Sequence, residues 1–205
     1  MSFEEQLGLC RVLPVITALD VESTVRLAQA LAEGGMKAVE ITLRTPAALA
    51  SLAAVKVAVP GMLVAAGTVT NPELLRKATA SGADFCVSPG LTPALLQASS
   101  DNSIPLLPGV ASASEVMLGL DYGLSLFKLF PAVAVGGIGL LTSLAGPFPD
   151  VQFCPTGGLN PENFCDFLAL PNVVCCGGSW MVTAQLVKEK QWGAISALAA
   201  QAMAE

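Results

Sequence analysis

Chemistry in this chain can be organised around Lys128. It stands in Leu126-Phe127-Lys128-Leu129-Phe130-Pro131-Ala132, a run that is otherwise apolar. Read as a strand, alternation puts Leu126, Lys128 and Phe130 on one face and Phe127 and Leu129 on the other. An ammonium flanked by aliphatic and aromatic carbon is short of hydration. A desolvated lysine amine is the usual carrier of Schiff-base chemistry. The plainer reading is a strand-end lysine whose head reaches water.

A second polar set lies in Val39-Glu40-Ile41-Thr42-Leu43-Arg44. Alternation gives Glu40, Thr42 and Arg44 one face and the aliphatic residues the other. The aliphatic face suits packing against helices, which turns the polar face inward, with Glu40 about 13 Å below Arg44 along the strand. A carboxylate at that depth needs a partner or a function. A Glu40–Lys128 salt bridge without turnover is one outcome. Such pairs are costly and seldom kept for stability alone, so the alternative, a proton carrier beside a nucleophilic amine, has the better case. Arg44 at the rim offers a fork for a carboxylate. Thr68, in Gly67-Thr68-Val69, could donate to the same carboxylate or cap the next helix. Ser88-Pro89-Gly90 and Pro108-Gly109-Val110 force fixed turns, which is shape rather than chemistry.

Two glycine pairs complete the set, in Cys154-Pro155-Thr156-Gly157-Gly158 and Gly177-Gly178-Ser179. They end the seventh and eighth apolar runs. Bare backbone N–H groups after strands seven and eight are the common phosphate cradle of a parallel barrel. An inward lysine, an inward glutamate, an arginine fork and a phosphate cradle point to imine chemistry on a keto acid with a distal phosphate.

The elements that must position these residues are legible. Apolar runs at Val12–Thr17, Ala38–Arg44, Met62–Val69, Asp84–Gly90, Ile104–Val110, Leu124–Ala132, Val151–Gly158 and Asn172–Trp180 alternate with helical segments. Thr45-Pro46, Asn71-Pro72, Thr92-Pro93 and Asn160-Pro161 each read as a cap followed by proline at the first helical position. Asp20 opens the first helix, and Ser112-Ala113-Ser114-Glu115 is a capping box. Gly34-Gly35, Gly82 and Gly123 stop helices. Thr183 to Glu205 reads as one closing helix. Eight strand–helix units predict an α/β fold, a single-domain (β/α)8 TIM barrel over residues 1–205. An open doubly wound sheet is the runner-up, but no Gly-x-Gly-x-x-Gly follows the first strand.

Composition narrows the function classes. Of 205 residues, 53 % are hydrophobic and 13 % charged, which excludes disorder and suits strands buried on both faces. The net charge of -6 and the lack of basic runs exclude a nucleic-acid partner. No apolar stretch reaches membrane-span length. The acidic start, Met1-Ser2-Phe3-Glu4-Glu5, is unlike a signal peptide, so a soluble cytoplasmic protein is expected. Six cysteines show no zinc spacing, and those within apolar runs read as buried thiols. The chain has no histidine, which removes Ser-His, Cys-His and His-ligated metal chemistry.

These stretches, in this order from Val12 to Trp180, resemble the 2-keto-3-deoxy-6-phosphogluconate (KDPG) and 4-hydroxy-2-oxoglutarate (KHG) aldolase family. The resemblance implies a class I, metal-independent aldolase barrel of the Entner–Doudoroff pathway, a homotrimer acting on a phosphorylated keto acid without a cofactor. It implies that Lys128 forms the Schiff base and Glu40 is the general acid/base. Arg44 and Thr68 would hold the pyruvate carboxylate. Thr156, Gly157, Gly158, Gly178 and Ser179 would lie at the phosphate end, with Pro89 and Phe130 lining the wall. A related galactonate-type aldolase carries an arginine at the end of strand one. Here that strand ends Val15-Ile16-Thr17-Ala18-Leu19, which favours the gluconate type. Val133 and Val135 depart from the polar residues expected in the loop after strand six. A phosphate-binding isomerase without imine chemistry and a non-catalytic sugar-phosphate-binding barrel are the competing expectations.

Overall fold

The computed structural model describes residues 3–204. Met1, Ser2 and Glu205, which belong to the acidic start and the closing helix expected above, lie outside the described residues. In chain order the elements are α1 (Phe3–Gly8), β1 (Val12–Thr17), α2 (Val21–Glu33), β2 (Ala38–Thr42), α3 (Ala48–Ala58), β3 (Leu63–Gly67), α4 (Pro72–Ala80), β4 (Phe85–Val87) and α5 (Pro93–Asp101). Then come β5 (Leu106–Leu107), β6 (Gly109–Val110), α6 (Ala113–Asp121), β7 (Leu126–Leu129), α7 (Gly137–Ala145), β8 (Gln152–Pro155), α8 (Phe164–Leu168), β9 (Cys176–Gly178), α9 (Ala184–Lys188) and α10 (Trp192–Ala204). Each predicted apolar run carries strand: the first coincides with β1, the fifth holds both β5 and β6, and the strands of the others are shorter than their runs.

The fold is α/β with parallel strand pairs. The strands fall into a six-stranded sheet, β5-β4-β3-β2-β1-β9, and a three-stranded sheet, β6-β7-β8. One continuous ring of ladders, as the predicted barrel requires, is therefore not what the hydrogen bonds form. Two local causes are visible. The fifth run is interrupted at Pro108, which has no N–H to donate; its carbonyl still accepts from the Lys128 N–H at 2.9 Å. Between β8 and the segment leading into β9 only isolated bridges form, Phe153↔Val173 and Thr156↔Gly177.

Alternation sorts the side chains into two apolar layers. Leu13, Ala38, Ala65, Phe85, Val87, Leu107, Leu126, Cys154 and Cys175 form an inner cluster with Leu7 and Cys10. Val39, Ile41, Val64, Phe127, Leu129 and Phe153 face outward and pack with helix residues such as Leu27, Leu52 and Leu75. The inner cluster includes Leu7 of α1, a helix the sequence pattern did not announce, and the Phe3 ring packs on Phe85 at 5.0 Å, tilted by 54°.

Caps behave as expected where the acceptor is local. Asp20, Asn71, Thr92 and Ser112 each accept from an N–H three residues on, and Glu115 turns back to the Ala111 N–H at 2.7 Å. Two expected caps fail. Thr45 Oγ1 donates to the Ala18 carbonyl on the neighbouring strand connection at 2.8 Å, and α3 starts later, after Ala47. Asn160 accepts from Glu162 N in its own turn at 2.9 Å, and α8 starts at Phe164. The C-terminal helix expected from Thr183 is divided into α9 and α10, and a 3₁₀ turn, Trp180–Val182, precedes it.

Candidate active site

Lys128 and Glu40 meet in the interior. β7 carries Lys128 inward because Phe127 and Leu129 are drawn into the outer apolar layer, and β2 does the same for Glu40 through Val39 and Ile41. Lys128 Nζ donates to Glu40 Oε1 at 3.2 Å and Oε2 at 3.1 Å. The two side chains are only 6 % and 2 % exposed. The ammonium also lies 5.4 Å from the centre of the Phe130 ring. Glu40 can occupy this place because Gly67 on the adjacent β3 has no side chain. A Cβ there would overlap Glu40 Oε1 and lie 2.6 Å from its Cγ.

A cavity of about 100 Å³ opens on this pair. Glu40, Arg44, Thr68, Pro89, Lys128, Phe130 and Thr156, all expected at the site, line it together with Val15 and Thr42. An adjoining cavity of about 160 Å³ shares Val15, Phe130 and Thr156 and is lined by Gly157, Gly158, Gly178 and Ser179. Every site residue expected from the sequence is thus brought to one of two contiguous hollows.

Each end has its own construction. Arg44, exposed at the rim, donates from Nε to Thr42 Oγ1 at 3.1 Å and from Nη2 to Thr17 Oγ1 at 2.8 Å. Thr68 holds φ at 60°, a left-handed backbone that a β-branched residue rarely adopts. It is not the cap of α4, since Asn71 accepts the Leu74 N–H at 2.9 Å. Local strain at a cavity wall is the kind found at functional sites. At the other end Gly157 and Gly158 have φ of 102° and 84°. Successive residues there with side chains would be strained, so the turn is built for backbone.

Sequence reasoning turned Thr42 inward but gave it no role, and it missed Thr17 and Cys154. Thr42 is buried and donates to the Ile16 carbonyl at 3.0 Å; Thr17 is its register partner on β1. Alternation from Val15 and Glu40 was the available signal for both. Cys154 is in register with Lys128 across β7 and β8. A hydrogen bond with Cys175 holds the Cys154 thiol below the ordinary range against the opposing effect of burial, and the Lys128 charge adds to this. Cys175 is correspondingly pushed well up by that bond and by burial. Burial alone pushes Cys86, away from the site, up to about 12.

Among the described residues no group of three or more His, Cys, Asp or Glu side chains is placed to hold a metal ion. No described helix is long and apolar enough to cross a membrane.

Residues 3–198 match the family described as KDPG and KHG aldolase. The chain is 48 % identical over 202 residues to the KHG/KDPG aldolase of Escherichia coli K12, covering 98 % of this chain and 95 % of that one. It is 47 % identical over 203 residues to the 2-dehydro-3-deoxy-phosphogluconate aldolase of Dickeya dadantii, covering 99 % and 95 %. Among solved structures, the KDPG aldolase of Legionella pneumophila superposes with a TM-score of 0.96 at 44 % identity, covering 98 % of each chain. That protein holds pyruvate as a covalent carbinolamine intermediate.

Proposed function

The chain belongs to the KDPG and KHG aldolase family, and from that premise we propose that it cleaves 2-dehydro-3-deoxy-6-phosphogluconate to pyruvate and D-glyceraldehyde 3-phosphate through an imine on Lys128. It is a carbon–carbon lyase that also takes 4-hydroxy-2-oxoglutarate to pyruvate and glyoxylate. The observation that carries this reading is the buried Lys128–Glu40 contact of 3.1 Å at the floor of the cavity. The carbinolamine in the Legionella relative supports it.

The chemistry follows from the geometry. Glu40 takes the ammonium proton, and the neutral amine adds to the C2 ketone. The carbinolamine hydroxyl leaves as water with a proton that Glu40 returns, giving a protonated imine. The C3–C4 electron pair then moves into the iminium, while the C4 hydroxyl proton passes to Glu40 directly or through a water. The aldehyde leaves, the enamine takes a proton at C3, and hydrolysis releases pyruvate and the amine. Arg44 and Thr68 hold the carboxylate, and Pro89 and Phe130 wall the reacting carbons. The second cavity takes the phosphate on the Gly157–Gly158 turn, Gly178, Ser179 and the Thr156 hydroxyl. No metal or organic cofactor enters, since the imine nitrogen is itself the electron sink.

The two sheets are read as one (β/α)8 barrel and the chain as one domain. Support comes from the strand that continues across Pro108 and from the bridges Phe153↔Val173 and Thr156↔Gly177, which link the sheets on their other side. The remaining family features, a cytoplasmic homotrimer serving the Entner–Doudoroff pathway without nucleic-acid or membrane partners, are part of the same proposal.

The test is reduction with borohydride in the presence of pyruvate, together with a coupled assay of pyruvate release from each substrate. The expected result is a stable adduct at Lys128 and lyase product. An adduct on another lysine, or one that persists in Lys128→Ala, overturns the assignment.

A further inference from the structure

We propose that Thr17, at the end of β1, is a positioning residue that sets the Arg44 guanidinium for the keto-acid carboxylate; the proposal rests on the imine-forming reading above. Arg44 is a long, exposed side chain, and its head group keeps a fixed plane only where acceptors hold it. Two hydroxyls do so. Thr42 Oγ1 accepts from Nε at 3.1 Å, and Thr17 Oγ1 accepts from Nη2 at 2.8 Å. Thr42 is itself locked, because it donates its hydroxyl hydrogen to the Ile16 carbonyl. Thr17 lies 3.4 Å from Thr42 Oγ1 and is its register partner on the neighbouring strand. The β1 backbone is thereby tied to the guanidinium through both hydroxyls.

The choice of nitrogens matters. Nε and Nη2 form the side edge of the planar fork, and both threonines lie on that edge. This leaves the end edge, Nη1 with the second hydrogen of Nη2, for two parallel hydrogen bonds to a carboxylate. Without Thr17, Nη2 loses its strand-bound acceptor and the plane is held at Nε alone. The fork then rotates about that remaining bond, and seating a carboxylate has to order it.

The same geometry separates this role from a structural one. Thr17 and Arg44 are both exposed, so the bond between them adds little to fold stability. Its value is realised when a ligand covers it.

The experiment compares Thr17→Val, which keeps the shape and deletes the hydroxyl, with Thr17→Ser, which keeps the hydroxyl. The readouts are the pyruvate concentration for half-maximal borohydride trapping, KM and kcat for lyase turnover, and the thermal midpoint. Thr17→Val is expected to raise half-saturating pyruvate and KM by roughly three- to tenfold, the scale of one hydrogen bond. Its trapping plateau, kcat and thermal midpoint stay near those of the unmodified chain, and Thr17→Ser restores saturation. Unchanged saturation in Thr17→Val, equal impairment in Thr17→Ser, or a fall in kcat at constant KM overturns the proposal alone. Absence of any adduct in the unmodified chain overturns the imine reading, and this proposal with it.

Discussion

The two ends of the active-site hollow are made from different material. At the end proposed for the keto acid the polar groups are side chains: Lys128 and Glu40 buried at 3.1 Å, with Arg44 hydrogen-bonded to two threonines. At the end proposed for the phosphate the lining includes Gly157, Gly158, Gly178 and the exposed Ser179, and no cation lines it. The difference reflects what each end has to do. Bond making needs a proton donor and a nucleophile held to a few tenths of an ångström, and only side chains on paired strands, locked by packing, supply that. A remote dianion needs several donors and a favourable local dipole, which backbone at a glycine turn supplies without any charged side chain. On the proposed reading, binding there orients the reacting bond rather than breaking it.

The contrast is broken most severely by Lys128→Ala. Turnover falls to background and the borohydride adduct disappears, while far-ultraviolet circular dichroism is retained. The stranded Glu40 carboxylate lowers stability by about 3 kcal/mol in a denaturant titration. Normal turnover in this variant would move the chemistry away from the buried pair.

Glu40→Gln is the next largest effect. The amide keeps the shape over Gly67 but cannot carry a proton. Steady-state kcat should drop roughly 10²- to 10⁴-fold, with pyruvate trapping slower but still on Lys128. A wild-type rate would leave Glu40 as a structural partner only.

Ser179→Ala sharpens the comparison at the other end. Loss of one hydrogen bond to a dianion costs about 1.5 kcal/mol, or roughly tenfold in kcat/KM, for the phosphorylated substrate. The short 4-hydroxy-2-oxoglutarate, which has no phosphate, should change by less than about threefold on the same scale. Equal losses on both substrates would dissolve the division between the ends.

Changes in the outer layer should touch neither end. Asn71→Ala removes the cap of α4 and costs about 1 kcal/mol, a fall of roughly 2–4 °C in thermal midpoint, with kinetics unaltered. Asp20 gives a smaller, pH-dependent effect. Hydrogen bonds from the Ser23 backbone and side chain hold its carboxyl below the ordinary 3.8. Because the folded value is the lower one, its contribution is complete above the unfolded value and is lost as pH falls through the folded value. Asp20→Asn should therefore flatten the acid limb of stability against pH, and an unchanged limb would remove Asp20 from that account.

Local chemistry was legible for most residues whose partner lies within a turn or on the same face. Asn71, Thr92 and Ser112 cap because the N–H they need is three residues away. The inward set of Glu40, Thr42 and Lys128 follows from a period of two and the aliphatic residues between them. Thr45 and Asn160 show where that reasoning ends. Each has the same cap-then-proline spelling as Asn71 and Thr92, yet Thr45 bonds to the Ala18 carbonyl and Asn160 to its own turn. At Thr45 a neighbouring strand connection competes for the hydroxyl, and the local pattern carries no record of it; at Asn160 a nearer N–H, two residues on, takes the side-chain oxygen.

The sequence by itself determined the alternation of strands and helices, the inward sense of the polar residues and the kind of chemistry an amine, a carboxylate and a guanidinium can do. These depend on spacing along one strand and on side-chain type. Only the tertiary structure decided that Lys128 and Glu40, 88 residues apart, touch at 3.1 Å, that Thr17 reaches across to Arg44, and that the ladder parts at Pro108. Those outcomes depend on strand register and on which neighbour arrives first at a shared donor or acceptor, and neither is encoded in any single stretch of chain.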